Sequence, residues 1–358
     1  MKILHVIPGL SMGGAEKLLT ELVPAQIKAG NVADVCVFDP TETPFMESLI
    51  KDGAKIITLG KKSYPYDFKR VLPLRKLIRA YDVVHAHCTP AQYLCSIAAS
   101  GSNAKLVTTE HSTNNRRRSK KWLKPFENYV YGKFSAVVGC SDKAADVLSD
   151  YLPKLKNRIC SIPNGLDIEK YSIAVPTHEL NKLNANEKRM VMIGRFQHPK
   201  NQAFLIKSLG KLDRDFHLYL IGDGEARQSC EKLAAELGVS ERVHFLGKRT
   251  DVPSLLKCMD IMTHASHWEG LPVSILEGMA AGLPVVGTDV QGIKEVTEDV
   301  GLLYADDDLD DFVQKVISVF KDSNQLNQLK QNSQNQVSNY SIEKMNESYL
   351  NLYKSIQK

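Results

Sequence analysis

The chain has 358 residues, enough for two domains of ordinary size, and its 43% hydrophobic and 24% charged content is that of a soluble globular protein. A net charge of +5 is too mild to imply a nucleic-acid partner. The seven scattered cysteines contain no CxxC pair, which argues against a disulfide framework or a zinc site and for a reducing compartment. No apolar run approaches the roughly 20 residues that span a bilayer. The opening run Lys2 to Ile7 is strand-like and carries no signal-peptide pattern, so a cytoplasmic protein is expected.

The first half alternates short apolar runs with helical patterns. Strands are expected at 3–6, 35–38, 56–59, 83–86, 106–109 and 136–139, with helices such as 15–29, 72–80 and 91–99 between them. Alternation of this kind implies parallel βαβ units and a doubly wound sheet. The loop after the first strand ends in Gly13 and Gly14 just before a helix. It is either a tight strand-to-helix turn or a place where backbone N–H groups approach a ligand. Two later strands end in His87 and His111. Ligands of open α/β sheets bind beyond the carboxyl ends of strands, so His111 is well placed for a ligand contact, while a lone His such as His87 is more often structural.

Next comes RRRSKKWLK, with Arg116, Arg117, Arg118, Lys120, Lys121 and Lys124 around Trp122 and Leu123. It reads as a solvated loop, or as a patch for an anionic membrane surface with Trp122 inserting at the interface. No recognised motif supports nucleic acid. A last strand and turn of the first domain is expected at 159–165. The polar stretch 171–188 is expected to hold the interdomain linker.

The second half repeats the alternation, with strands at 190–193, 218–221, 243–246, 261–264 and 284–286. Its loops carry distinctive residues. Arg195 and Lys200 lie in one loop and could converge on a diphosphate, the first as a fork and the second as a point charge. Gly222 permits close backbone approach, and Lys248 and Arg249 stand where a nucleotide base could rest. The run Asp306 to Asp308 suits a helix start better than a metal site.

The stretch WEGLPVSILEGMAAGLPVVG, residues 268 to 287, organises this half. Pro272 fits the first helical position, where its missing N–H costs nothing, and the free N–H groups around Leu271 to Ser274 would face an anion. Glu269 and Glu277 flank that anion site and would repel a phosphate. They make sense facing hydroxyl groups on either side of it, the layout of a nucleotide sugar.

These residues resemble the GT-B-fold retaining glycosyltransferases of family 4. The resemblance rests on Gly-Gly-Ala-Glu after the first strand, the Asn164-Gly165 turn, Gly-Arg-x-x-x-x-Lys at 194–200 and Glu-x7-Glu at 269–277, and it spans nearly the whole chain. It implies two Rossmann-like α/β domains facing an interdomain cleft. Residues 1–170 would form the acceptor side, with a last helix at 341–358 packing back on them, and residues 171–340 would bind the nucleotide sugar. It further implies that Glu277 holds the ribose and Glu269 the donor sugar. Arg195, Lys200 and the N–H groups at 271–273 would hold the diphosphate, the Gly13–Gly14 loop would close over it, and His111 would contact the sugar near the reacting carbon. A UDP- or GDP-sugar would be the donor, with no obligatory cofactor and no metal, and a glycan or lipid-linked acceptor would receive the sugar. The alternatives are an epimerase on the same scaffold, which would turn over donor without acceptor, and a non-catalytic nucleotide-sugar binder, which would be expected to lose some of these residues.

Overall fold

A computed structural model describes all residues except Met12, 61–63, Thr113, Asn114, Arg116, 178–185 and Asp299, together with the side chain of Lys121. The chain divides into two units, Met1–Gly165 with Ile342–Lys358, and Leu166–Ser341.

The first unit is a seven-stranded sheet. Its strands are β1 (Lys2–Ile7), β2 (Val32–Val37), β3 (Ile56–Thr58), β4 (Val83–His87), β5 (Lys105–Glu110), β6 (Ala136–Gly139) and β7 (Ile159–Ser161). They run parallel in the order β3-β2-β1-β4-β5-β6-β7. The central strands are apolar on both faces because helices cover both; all of β4 is buried, including His85 and His87. The helix Ile342–Gln357 supplies Met345, Tyr349 and Tyr353 to one core cluster of this unit.

The second unit repeats the plan with β8 (Lys188–Ile193), β9 (Phe216–Ile221), β10 (Val243–Gly247), β11 (Ile261–His264), β12 (Val285–Thr288) and β13 (Leu302–Tyr304). These are parallel in the order β10-β9-β8-β11-β12-β13. Both sheets reverse their strand order beside their own first strand. The crevice at such a reversal, beyond the carboxyl ends of the strands, is where α/β sheets bind ligands.

The division falls at 165/166, upstream of the stretch expected to be a linker. Tyr171 is fully buried in a short helix, Ile168–Ser172, whose N-cap Asp167 accepts from the Lys170 N–H. That helix overlaps the expected linker only at Tyr171 and Ser172, and residues 178–185 of the linker stretch lie outside the described residues. β13 was not anticipated.

Candidate active site

In the second unit the reversal lies between β8 and β11, and the loops after these two strands carry the charged residues. Gly194 opens the β8 loop, and the aliphatic stem of Lys200 packs over it, with Cδ about 3.5 Å from where a Cβ would stand. Gly222 and Gly224 of the neighbouring loop have positive φ, and any Cβ there would strike the carbonyl oxygens of Gly194 and Phe196 at 2.1 and 2.3 Å. These two positions require glycine for close backbone approach as well as for conformation. The role of Gly222 is thus to seat one loop against the next.

Lys200 donates to the Glu269 carboxylate, and both side chains are largely withdrawn from solvent. Burial is the largest single influence and would raise the Glu269 pKa, but the Lys200 ammonium, His264 and the hydrogen bonds from Lys200 and Ser266 together outweigh it and hold the carboxyl below the usual range. His264, at the end of β11, places Nε2 3.7 Å from the same carboxylate and 3.3 Å from Ser274 Oγ. Its burial pushes the imidazole down to about 4, so it is neutral at pH 7. The Glu269–Gly270 backbone is pinned from the far side by Gly292, where a Cβ would meet the two carbonyl oxygens at 2.6 and 2.7 Å.

Glu277 lies inside the helix Val273–Ala280 and is buried; Tyr171 donates its hydroxyl to one carboxylate oxygen at 2.6 Å. Sequence reasoning missed Tyr171. Pro272 is the N-cap of this helix, one position earlier than expected, and its carbonyl accepts from Ile275 at 3.0 Å. With no side-chain cap, the N–H groups of Val273 and Ser274 have no backbone partner among the described residues. Leu271 is buried beneath this terminus.

Other expected residues sit apart. Arg195 does not converge with Lys200: its guanidinium is 66% exposed and reaches Glu225 at 3.4 Å. Arg249 is held by its own loop, with two bonds of 2.8 Å to Asp251, which leaves Lys248 as the exposed cation there. Asp308 caps the helix Leu309–Lys321 through the N–H groups of Asp310 and Asp311. Asp306 instead accepts from His267 Nδ1 at 2.9 Å.

In the first unit the reversal lies between β1 and β4. Gly13 is the exposed N-cap of the helix Gly14–Lys28, and a Cβ on Gly14 would meet nothing within 4 Å. Beside it runs a row of side chains that the sequence did not reveal. Gln26 Oε1 lies 2.8 Å from His5 Nε2, His5 Nδ1 lies 3.0 Å from His87 Nε2, and His87 Nδ1 lies 3.2 Å from His111 Nε2. His85 joins the cluster through Tyr353 at 2.7 Å and Thr109 at 2.8 Å, and Thr109 meets Tyr349 at 2.9 Å. Burial pushes His5 and His111 down to about 4 and holds His85 and His87 well below the ordinary histidine value, so the array is neutral at pH 7. The available signal was the spacing of His85 and His87, since residues two apart on a strand share a face.

Two arginines of the basic stretch turn inward. Arg117 pairs with Glu127 at 2.6 Å, and Arg118 with Glu110 at 3.1 Å, around Tyr93, Tyr131 and Tyr151. Arg116 lies outside the described residues, as does the Lys121 side chain. Lys120 and Lys124 remain exposed beside Trp122, which is 74% exposed, and Phe126 and Tyr129 continue that apolar surface along the helix Lys124–Tyr131.

Two doubly wound units, each with polar residues gathered at its strand reversal, define a GT-B-type α/β architecture. Family models agree: residues 12–170 match Glycosyltransferase Family 4, and residues 177–336 match Glycosyl transferases group 1. The chain belongs to this glycosyltransferase family and is an enzyme of that class. It is 28% identical over 294 residues, 76% of this chain and 75% of the other, to the UDP-Gal:alpha-D-GlcNAc-diphosphoundecaprenol alpha-1,3-galactosyltransferase of Escherichia coli. It is 25% identical over 381 residues, 100% of this chain and 99% of the other, to a Campylobacter jejuni GalNAc-alpha-(1->4)-GalNAc-alpha-(1->3)-diNAcBac-PP-undecaprenol alpha-1,4-N-acetyl-D-galactosaminyltransferase. The fold matches that of Anabaena Alr3699/HepE in complex with UDP and glucose, with a TM-score of 0.88 at 21% identity over 99% of this chain and 100% of the other. Among the described residues no helix is long and apolar enough to cross a membrane.

Proposed function

We propose that this glycosyltransferase moves a sugar from a nucleoside-diphosphate sugar to a hydroxyl of a lipid-linked or glycan acceptor in bacterial surface-glycan synthesis, with retention at the anomeric carbon. The observation that carries the reading is the pairing of Lys200 with Glu269 eight residues before the buried Glu277, on either side of an uncapped helix terminus. Glu277, oriented by the Tyr171 hydroxyl, accepts from the ribose hydroxyls. Lys200 has three N–H donors, so it bridges Glu269 and the diphosphate together. Glu269, held ionised, accepts from hydroxyls of the donor sugar. Arg195 exchanges Glu225 for the diphosphate, an exchange that costs little because an exposed pair is worth only about 0–1 kcal/mol.

Cleavage of the sugar–phosphate bond builds negative charge on the departing diphosphate. Lys200, Arg195 and the N–H groups of Val273 and Ser274 meet that charge, and no obligatory metal is invoked. The Gly13–Gly14 loop lies against the phosphates, Lys248 lies near the base, and His111 contacts the donor sugar. A UDP-sugar is favoured over a GDP-sugar because an Escherichia coli relative is named for UDP-Gal and the Anabaena structure holds UDP. Two relatives named for undecaprenol-linked acceptors support the lipid-linked reading. A cytoplasmic enzyme resting on the inner membrane face follows from it, with Lys120, Lys124 and Trp122 as the anionic-lipid contacts. The test is thermal denaturation with UDP-, GDP- and ADP-sugars at saturating concentration: UDP-sugars raise the Tm most. No shift with any of the three sinks the donor assignment.

A further inference from the structure

The row Gln26–His5–His87–His111 has a direction. A carbonyl oxygen only accepts, so with Gln26 Oε1 2.8 Å from His5 Nε2, that nitrogen carries the His5 proton. A neutral imidazole has one N–H, which leaves His5 Nδ1 as an acceptor, and the 3.0 Å contact is then His87 Nε2–H donating to it. The same step puts a proton on His111 Nε2, which donates to His87 Nδ1 at 3.2 Å. One amide oxygen therefore sets the tautomers of three rings. His111 Nδ1 makes no hydrogen bond among the described residues, and His111 is only half-buried, at the carboxyl end of β5.

We propose that Gln26, His5 and His87 are positioning residues that fix His111 with a bare Nδ1 lone pair, so that His111 meets its ligand as a hydrogen-bond acceptor and selects a sugar hydroxyl over a phosphate oxygen. This rests on the reading of His111 as a donor-sugar contact. A phosphate oxygen offers no hydrogen at neutral pH and is repelled by the lone pair, whereas a hydroxyl donates to it. Had the row ended in a donor instead of the Gln26 carbonyl, every proton would move across and His111 would present N–H to an anion. The ends of the row are separated by 85 residues, and no ligand contact is required of Gln26, which is fully buried.

The test is tautomer assignment by long-range proton–nitrogen correlation NMR on the full chain labelled with 15N-histidine. Wild-type protein is expected to show His5, His87 and His111 all protonated on Nε2; a wild-type His111 protonated on Nδ1 overturns the proposal. Gln26→Met is close to isosteric but has no amide oxygen. It is expected to give His111 a mixture of tautomers, with kcat/KM for the nucleotide sugar falling roughly fivefold to tenfold, the loss of about one hydrogen bond. Affinity for the nucleoside diphosphate alone should stay unchanged. An unaltered His111 tautomer in folded Gln26→Met protein also overturns the proposal. If the tautomers respond as stated and His111→Ala leaves kcat/KM at the wild-type level, the row stands and the sugar contact of His111 is what fails.

Discussion

The two strand reversals of this chain are built on opposite electrostatic plans. In the second unit a full positive and a full negative charge, Lys200 and Glu269, are held together beside a neutral His264. In the first unit three histidines and a glutamine are packed with no ionised partner in their hydrogen-bonded row. Charge suits a ligand that develops charge as it reacts, and a neutral row suits one that must be oriented through hydroxyl groups. The difference also predicts how each half fails: the charged pair fails when one partner is removed, and the neutral row fails when protons are added.

Removing Lys200 should give the largest effect. Lys200→Ala is expected to lower kcat by about 10² to 10³ through loss of a charge donor at the leaving group. It also strands Glu269 in a buried site, so its carboxyl pKa should rise, detectable by carboxyl NMR; circular dichroism should remain native. Wild-type turnover would break the charged half of the comparison. Glu277→Ala should weaken nucleotide binding by roughly 10- to 100-fold in calorimetry, the scale of losing a charged hydrogen bond. Tyr171→Phe should cost less, about threefold to tenfold, because Glu277 survives but loses the bond that orients it.

Acid should test the neutral half. The folded pKa values of His5 and His111, about 4, lie below the ordinary histidine value, so the unfolded chain binds more protons in that window. Stability from these groups is fully present above pH 6.5 and is lost as pH falls toward 4. A Tm drop on the order of 5–10 °C between pH 7 and pH 5 is expected. His264 adds to it from the second unit, so His5→Phe should flatten only part of the slope. A separate effect concerns the membrane. Lys120→Ser with Lys124→Ser should reduce binding to anionic vesicles by roughly tenfold or more, at about 1 kcal/mol per lysine. Arg117→Ser should instead destabilise the first unit, since it leaves Glu127 buried without its cation.

The strands were legible because parallel strands covered on both faces read as unbroken apolar runs. Lys200, Glu269 and Glu277 were legible because local spacing carries them: one loop, and one loop followed by a helix. Tyr171 was not legible, because it meets Glu277 across 106 residues and lies in a helix of five. The histidine row was hidden for a related reason. His5, His87 and His111 lie on or after β1, β4 and β5, and only the strand order makes those strands neighbours. Arg117 and Arg118 misled in the other direction: a run of like charges looks solvated, yet two of its members turn inward to buried carboxylates.

The contact of Tyr353 with His85 spans 268 residues, and that of Tyr349 with Thr109 spans 240. The helix that makes both leaves the ribosome after the entire second unit, Leu166–Ser341, has been synthesised. The second unit can therefore close as soon as its own strands are out, while the first waits with His85 and Thr109 lacking their tyrosine partners. Such late, long-range closure is slow and leaves an incomplete core exposed during synthesis. Of the two units, the one whose strands are made earlier is then the later to be finished, and His85 and Thr109 gain their tyrosine partners only in that closing step.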